Sequence, residues 1–555
     1  MSESPRTLLD ELLAEQQQLT AVERFSRRHE AGSLPAQARY YKDLIPRTKP
    51  GAGQQYGFVV ELDACTGCKA CVSACHSLNG LDDEETWRSV GIVHDISPDA
   101  PYLQTVTTAC HHCVEPGCLE GCPVMAYDKD PETGIVRHLD DQCIGCQYCV
   151  LKCPYDVPKY SEKKGIVRKC DMCTNRLAIG EAPACVQACP TKAIRIELVD
   201  KLEVSRAAKP GTKLMPGAFD SDYTKPTTRY RTNRPMPEGA RPGDADAFHL
   251  DHAHWPLIGM LLLTQMSVGL YAVLSLIGLF APGAFESLKG PLGVAGFVTL
   301  NAGLVVSVFH LGRPLGAWRF FLGLRTSWMS REILVFSALA ASGGACTTAC
   351  LWEPLARMAP ILHEVERFVH PPQFALLLGT LTTVIGLGGV FCSAMIYVDT
   401  RRAFWVSRLT FPRFFGSTAL LGISAAASIL ACLRVSAAPT LSGLATATIV
   451  LSVLLRSALF GWEVWNFATS VSNPAAPIYR SSQTIWKLRP ALVIMMVRLF
   501  VLSITFWLIS LISDAFASAI FVSASFALTA ASQLLERYFY FTAAAAPRMP
   551  GGISS

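Results

Sequence analysis

Sixteen of the chain's twenty cysteines lie between Cys65 and Cys189, in four groups of four. The groups are Cys65, Cys68, Cys71 and Cys75; Cys110, Cys113, Cys118 and Cys122; Cys143, Cys146, Cys149 and Cys153; and Cys170, Cys173, Cys185 and Cys189. Soft thiolates at C-x2-C-x2-C-x3-C spacing are the donor set of an iron–sulfur cube, with three sulfurs from one loop and the fourth aimed at another cluster. At four thiolates per cube, sixteen cysteines predict four 4Fe–4S clusters, with the same sixteen residues as iron ligands. All-cysteine zinc sites also use C-x2-C pairs. They do not call for triple-cysteine loops closed by Cys-Pro, which recurs here at Cys122-Pro123, Cys153-Pro154 and Cys189-Pro190. The first group ends Cys75-His76 and must build its last turn differently.

A second set of residues stands out because ionisable groups at membrane depth are functional candidates. His310 follows one apolar run, in Phe309-His310-Leu311-Gly312-Arg313-Pro314, and Glu332 opens the next, in Arg331-Glu332. A quinol surrenders two protons with two electrons, so it needs a hydrogen-bonding base, a carboxylate and apolar walls. His310 and Glu332 fit those roles, with Arg331, Arg456 and Arg498 as further candidates. The plain alternatives are an interfacial helix anchor for His310 and a helix-dipole charge for Glu332. No haem is expected, because a bis-histidine haem needs two facing histidines, while His363 and His370 fall in a far-side loop. Cys346, Cys350, Cys392 and Cys432 read as small core residues. His249, His252 and His254 cluster before the first apolar run and read as solvated or hydrogen-bonded rather than metal-binding.

The elements that position these residues are legible in outline. Gln55–Asp63, Ile135–Leu139 and Ala193–Glu197 are short strand candidates flanking the cysteine loops. Strand, cysteine loop, short helix, strand is a ferredoxin-type unit, here doubled. Eight apolar segments reach the ~20 residues that a bilayer span requires, near 255–280, 291–311, 332–352, 373–398, 414–433, 439–461, 490–513 and 515–535. The expected fold class is an α+β, duplicated bacterial ferredoxin-like domain fused to an all-α membrane bundle of eight transmembrane helices. The expected divisions are a helical extension over 1–54, the four-cluster domain over 55–200, a linker over 201–250, the membrane anchor over 251–541 and a flexible tail over 542–555. Residues 4–31 read as one amphipathic helix, packed on its own domain or docked on a partner.

Composition supports the division. Residues 1–250 carry 30 Lys/Arg against 34 Asp/Glu, and residues 251–555 carry 19 against 10. The positive charge of the second half belongs to loops at lipid headgroups, and no nucleic-acid partner is expected. Thiolates that assemble clusters are loaded in a reducing compartment, not paired as disulfides. Loops on the cysteine-rich side hold eleven basic residues: Arg313, Arg319, Arg325, Arg331, Arg401, Arg402, Arg408, Arg413, Arg480, Lys487 and Arg489. The far-side loops hold four, namely Lys289, Arg357, Arg367 and Arg434. Positive loops favour the cytoplasm, and no export signal is expected at the N-terminus. The expected location is therefore the cell (inner) membrane, multi-pass, with the clusters on the cytoplasmic side. They would be periplasmic if the protein were exported with a partner.

The irregular spacings, four residues between Cys113 and Cys118 and eleven between Cys173 and Cys185, identify a resemblance. The region resembles the four-cluster subunit of dimethyl sulfoxide reductase-type molybdenum oxidoreductases. That resemblance implies exchanged ligands: Cys65, Cys68 and Cys71 with Cys189; Cys170, Cys173 and Cys185 with Cys75; Cys110, Cys113 and Cys118 with Cys153; and Cys143, Cys146 and Cys149 with Cys122. The respiratory nitrate reductase branch carries tryptophan at the position of Cys146, so this sequence departs from it. The text around His310 and Arg331-Glu332 looks like the family's membrane anchor, which implies that the pair oxidises menaquinol. The implied function is electron transfer from quinol, through the clusters, to a separate molybdopterin catalytic subunit, with no terminal substrate site on this polypeptide. The implied surroundings are membrane lipid and the quinone pool. Flow in the opposite direction, from a dehydrogenase into quinone, a polysulfide reductase- or hydrogenase-like electron-transfer anchor, and a redox sensor are the other readings.

Overall fold

The computed structural model describes residues 7–18, 20–31, 38–97, 101–358, 371–436 and 442–551; His363 and His370 fall outside them. The cysteine-rich half is a set of small sheets wrapped around the cysteine loops. Strand β1 (Gln54–Glu61) delivers the chain to Cys65. Seven further strands precede its outer partners: β2 (Ser89–Asp95), β3 (Tyr102–Thr108), β4 (Tyr127–Lys129), β5 (Val136–His138), β6 (Lys159–Ser161), β7 (Ile166–Arg168) and β8 (Ile194–Asp200). β1 and β8 pair antiparallel from Gln54↔Asp200 to Val60↔Ile194. That pairing brings the end of the fourth cysteine group back beside the start of the first. The β4–β5 hairpin does the same for Cys122 and Cys143, pairing Tyr127 with His138. The ferredoxin-like unit is thus closed on itself, and the ends of distant cysteine groups become neighbours.

The stretch 201–250, expected as a linker, is built into this half. β9 (Arg229–Arg231) adds parallel to β1, and β10 (Arg241–Pro242) adds antiparallel to β2. Open edges of β1 and β2 offer unpaired backbone groups, and this segment satisfies them. The tail is likewise packed. Ala543, Ala544 and Met549 are buried, and the Ile92 amide donates to the Gly551 carbonyl at 3.1 Å. Its Arg548 pairs with Asp244 at 2.6 Å. The N-terminal stretch forms two helices, Leu8–Gln17 and Ala21–Ala31, and leaves Leu8, Leu9, Val22 and Phe25 exposed.

Among the described residues, eight helices are long and apolar enough to cross a membrane. They are Trp255–Phe280, Pro282–Val308, Trp328–Cys350, Pro371–Val398, Ser407–Ser436, Ser442–Val471, Pro490–Ile512 and Ala515–Thr542. Several outrun their apolar cores, because backbone hydrogen bonding continues into polar turns at the interface. The first four spans pack as one group and the last four as another. The first and fifth spans join the groups, with backbones touching at Gly269 and Gly422, where an added Cβ on Gly269 would lie 2.2 Å from the Thr418 carbonyl. Small residues at such contacts are how membrane helices approach closely.

The two halves are docked rather than strung together. Lys152, 3% exposed at its side chain, pairs with Asp399 at 2.6 Å, and Tyr223 donates to the Asp399 carbonyl at 2.9 Å. Arg313 and Arg319 donate to the carbonyls of Asp140 and Asp141 at 2.9 and 2.7 Å. Arg401 meets Asp222, and Arg480 donates to the carbonyls of Asp244 and Ala247. Four of the eleven basic residues on this side are therefore docking contacts. Asp399→Ala leaves the Lys152 ammonium buried and unpaired, a loss of roughly 2–4 kcal/mol after allowance for the partly exposed carboxylate. Thermal unfolding should fall by several degrees, with the junction becoming the first site of limited proteolysis.

Candidate functional site

The cysteine loops share a local device. The residue before the second cysteine of every group has a positive φ: Gly67, His112, Gly145 and Met172. A left-handed residue there turns the loop so that its sulfurs face one centre. Three residues after Cys122, Cys153 and Cys189 a second left-handed residue follows, at Met125, Asp156 and Lys192. The next amide then turns onto the sulfur, as Ala126 N–H to Cys122 Sγ and Ala193 N–H to Cys189 Sγ, both 3.2 Å. Cys75 lacks this turn. It sits within the helix Ala70–Asn79, and the Asn79 side-chain amide faces its sulfur at 3.6 Å.

The quartets surround cavities. One, of about 370 Å3, is lined by Cys110, Cys113, Cys118 and Cys153. Another, of about 300 Å3, is lined by Cys65, Cys68, Cys71 and Cys189. Cys75 lies in the electrostatic field of Cys185 and Cys173, and Cys146 and Cys149 in that of Cys122 and Cys143. Each neighbourhood matches the exchange implied by the family resemblance. Among the described residues no three His, Cys, Asp or Glu side chains converge on a point tightly enough for one metal ion. Thiolates ranged around a cavity suit a multi-iron cube better than a zinc held ~2.3 Å from each sulfur.

The donor set also needs positive charge beside it. Burial pushes the Cys75 thiol up to about 12, and those of Cys122, Cys153 and Cys173 to about 11. Two buried cations oppose this. Burial disfavours the charge of Arg88, but Cys185, Cys71, Cys170 and Cys75 outweigh it and raise its pKa. Lys169 is likewise held charged by Cys110, Cys118 and Cys170, and donates to the Cys170 carbonyl at 2.8 Å. Fields at Cys71 from Cys185, at Cys170 from Cys110, and at Tyr127 from both Cys149 and Cys118 link the four quartets into a row. The quartet of Cys122, Cys143, Cys146 and Cys149 ends it against the membrane half.

There the third cysteine group meets the predicted membrane residues. A cavity of about 370 Å3 is lined by Cys146, Tyr148, His254, Met260, His310, Met329, Glu332 and Tyr397, among others. His310 Nε2 donates to the Cys146 carbonyl at 2.8 Å, since a carbonyl can only accept. That fixes the tautomer and leaves Nδ1 as an acceptor. Burial lowers the His310 pKa, and the bond to Cys146 partly offsets it. Glu332 is buried and accepts a hydrogen bond from the Ser393 hydroxyl. His254, whose ring centroid lies 5.7 Å from that of His310, is held neutral by burial, its pKa lowered to about 3. The sequence places His254 in a histidine cluster expected to be solvated or hydrogen-bonded, not in the site. The signal that could have found it is its position one residue before the first span, on the same membrane face as His310.

The other candidates lie elsewhere. Arg331 donates to the carbonyls of Leu324 and Arg325 at 3.2 and 2.7 Å and covers Trp328, outside the cavity. Arg456 is buried in the second group of spans, against the stacked rings of Phe460 and Phe500. Arg498 is exposed on the seventh span.

Comparison with known proteins divides the sequence in the same way. Residues 102–199 match the 4Fe-4S dicluster domain, and residues 249–542 match the DMSO reductase anchor subunit (DmsC). An anaerobic dimethyl sulfoxide reductase subunit of Escherichia coli K12 is 36% identical over 191 residues, 32% of this protein and 89% of that one. The corresponding anaerobic dimethyl sulfoxide reductase subunit of Haemophilus influenzae is 33% identical over 190 residues, 33% of this protein and 91% of that one. The hydrogenase-2 operon protein HybA of Escherichia coli O157:H7 is 33% identical over 212 residues, 33% of this protein and 63% of that one. One polypeptide here joins an iron–sulfur electron-transfer subunit to a membrane anchor.

His310 is aimed by a backbone-to-backbone contact two residues away. A Cβ on Gly312 would lie 2.2 Å from the Gly165 carbonyl, and one on Gly145 would lie 2.9 Å from the Gly312 amide. Gly312→Val must therefore push the halves apart. The expected result is normal iron content with electron entry from hydroquinone slowed by at least about tenfold, since a shift of about 1 Å can cost 10²-fold. Stopped-flow reduction of the clusters checks it.

Proposed function

The protein belongs to the DMSO reductase anchor subunit (DmsC) family, and from that premise we propose that it carries electrons from menaquinol to a separate molybdopterin-containing catalytic subunit. The observation that carries the reading is the cavity shared by His310 and Glu332, with the Cys146 loop as its wall. A hydroquinone bound there would donate one hydroxyl to His310 Nδ1 and the other to the Glu332 carboxylate. Met260, Met329 and Leu257 supply apolar surface for the ring. As two electrons leave, two protons pass to those bases. Ser393 fixes Glu332, and the Cys146 carbonyl fixes His310, so neither base need reorganise. The same site serves flow in the opposite direction if a dehydrogenase partner supplies the electrons.

The sixteen cysteines would hold four 4Fe–4S clusters, one per exchanged quartet, and bound clusters supply one-electron transfer along the row. Arg88 and Lys169 lower the cost of burying thiolate charge beside it. The far end of the row, at Cys65, Cys68, Cys71 and Cys189, is where a catalytic partner would dock: Cys68 is exposed there and the other quartets lie deeper. HybA matches 33% of this protein, whereas the DMSO reductase anchor match spans the whole membrane half. That difference favours the reductase reading over a hydrogenase one.

Iron analysis should give about sixteen irons per polypeptide, and stoichiometric zinc instead would sink the cluster assignment. His310→Ala and Glu332→Gln should each slow menaquinol-analogue oxidation about 10²-fold or more, with iron content retained. Normal rates in both variants would rule the cavity out as the quinol site. The side of the membrane follows from the loops. With the four docking arginines set aside, seven basic residues remain against four, which still favours a cytoplasmic iron–sulfur half. Protease added to intact spheroplasts should leave that half uncut; cleavage would place it outside and imply co-export with a partner.

A further inference from the structure

The last four spans enclose a cavity of their own. It is open at one side, with about 730 Å3 of empty space counting that opening, and its walls include Phe460, Phe467, Val493, Met496 and Phe539. Two glutamates, Glu463 of the sixth span and Glu536 of the eighth, border it together with Arg413. Their circumstances differ. Glu536 is committed, to Arg413 at 3.2 Å and to Arg537 at 2.9 Å. Arg537 in turn donates to Gln265 and Ser417, both at 3.2 Å. Glu463 Oε2 is buried and meets no hydrogen-bond partner among the described residues. A buried acceptor without a donor costs about 1–3 kcal/mol, and a ligand hydroxyl would remove that cost.

The cavity lies between the sixth and seventh spans, where the exposed side chains of Val464 and Val497 stand at its rim. Access is therefore from the bilayer. The occupant must be lipid-soluble, mostly apolar and a hydrogen-bond donor. A phosphate headgroup fits poorly, because the cation on the wall, Arg413, already neutralises Glu536, and Glu463 would repel an anion. We propose that this cavity binds a second isoprenoid hydroquinone, with a ring hydroxyl donating to Glu463. A short aromatic wall separates it from the first cavity. Tyr540 lines the new cavity, Tyr397 lines the first, and their ring centroids are 5.3 Å apart. Each group of four spans thus holds a cavity with a glutamate on its iron–sulfur side, Glu332 in the first and, beside the arginine-paired Glu536, Glu463 in the second.

The test is photolabelling of the purified, cluster-loaded protein in nanodiscs with an azido-ring menaquinol analogue, followed by peptide mapping. Two labelled regions are expected, one around His310 and Met329 and one within 460–497. Glu463→Leu should reduce labelling of the second region about tenfold, the equivalent of one lost hydrogen bond to a charged or polar acceptor, and leave the first within about twofold. Val493→Trp, which fills the cavity, should do the same, with Val497→Trp at the rim in its place if that variant does not fold. His310→Ala should show the reverse pattern, so failure of either site is read separately. The proposal is overturned if the wild-type protein is labelled only around His310. Labelling of 460–497 that is indifferent to Glu463→Leu and to the tryptophan variant, or a co-purified phospholipid there that the analogue does not displace, also overturns it.

Discussion

The architecture depends on one contact, the hydrogen bond from His310 to the backbone of Cys146. Electrons and protons part company at a quinol: protons need bases near water-accessible polar groups, while electrons need a short path to the nearest redox centre. On the proposed reading His310, just past the end of the second span and bonded to a cysteine-loop carbonyl, meets both needs at one point. The bond survives only if the two halves approach backbone to backbone, which Gly145, Gly165 and Gly312 permit because none of them has a Cβ. The ion pair of Lys152 with Asp399 and the arginine contacts to Asp140 and Asp141 hold that approach.

Charge burial is the second constraint. Sixteen thiolates in a domain of this size would not stay deprotonated without compensation, and the fold places Arg88 and Lys169 between quartets rather than at the surface. The recurring left-handed residues serve the same end, turning backbone amides toward sulfur. The neutral pair His111 and His112 fills the space beside Cys110 and Cys113: His112 accepts from the Val136 amide at 3.1 Å, and His111 bonds Thr228 at 2.8 Å. Burial depresses both imidazoles, so they add no charge of their own.

In the membrane half, polar groups are concentrated where they face one another rather than lipid. Ser267 donates to the Gly296 carbonyl, Tyr271 to the Gly343 carbonyl, and Ser417 to Gln533. Arg413 and Arg537 lie against aromatic faces and Glu536, which keeps their charge away from hydrocarbon. Glu463 Oε2, in contrast, has no hydrogen-bond partner among the described residues.

Much of this is fixed locally and so is legible in the amino-acid order. Cluster ligation depends on cysteines a few residues apart, and a bilayer span depends on a run of about 20 apolar residues; both signals lie within one short window. His310 and Glu332 stand out because charged or basic groups are rare beside such runs. What the amino-acid order does not reveal depends on residues far apart in sequence. Glu463 and Glu536 fall just past the apolar windows that end at 461 and 535, since helices continue into polar turns that hydropathy excludes. Arg331 and Arg498 share the sequence character of functional arginines, yet one ties down a loop and the other faces outward. The stretch 201–250 lacks any period, but β1 and β2 present edges that only a returning segment can satisfy. Neighbourhoods such as Cys189 beside Cys71 arise from the antiparallel pairing of β1 with β8, a long-range contact whose register no local window contains. Sequence determined which atoms could do the chemistry; tertiary packing decided which of them meet, because that is settled by backbone approach and edge pairing between distant segments.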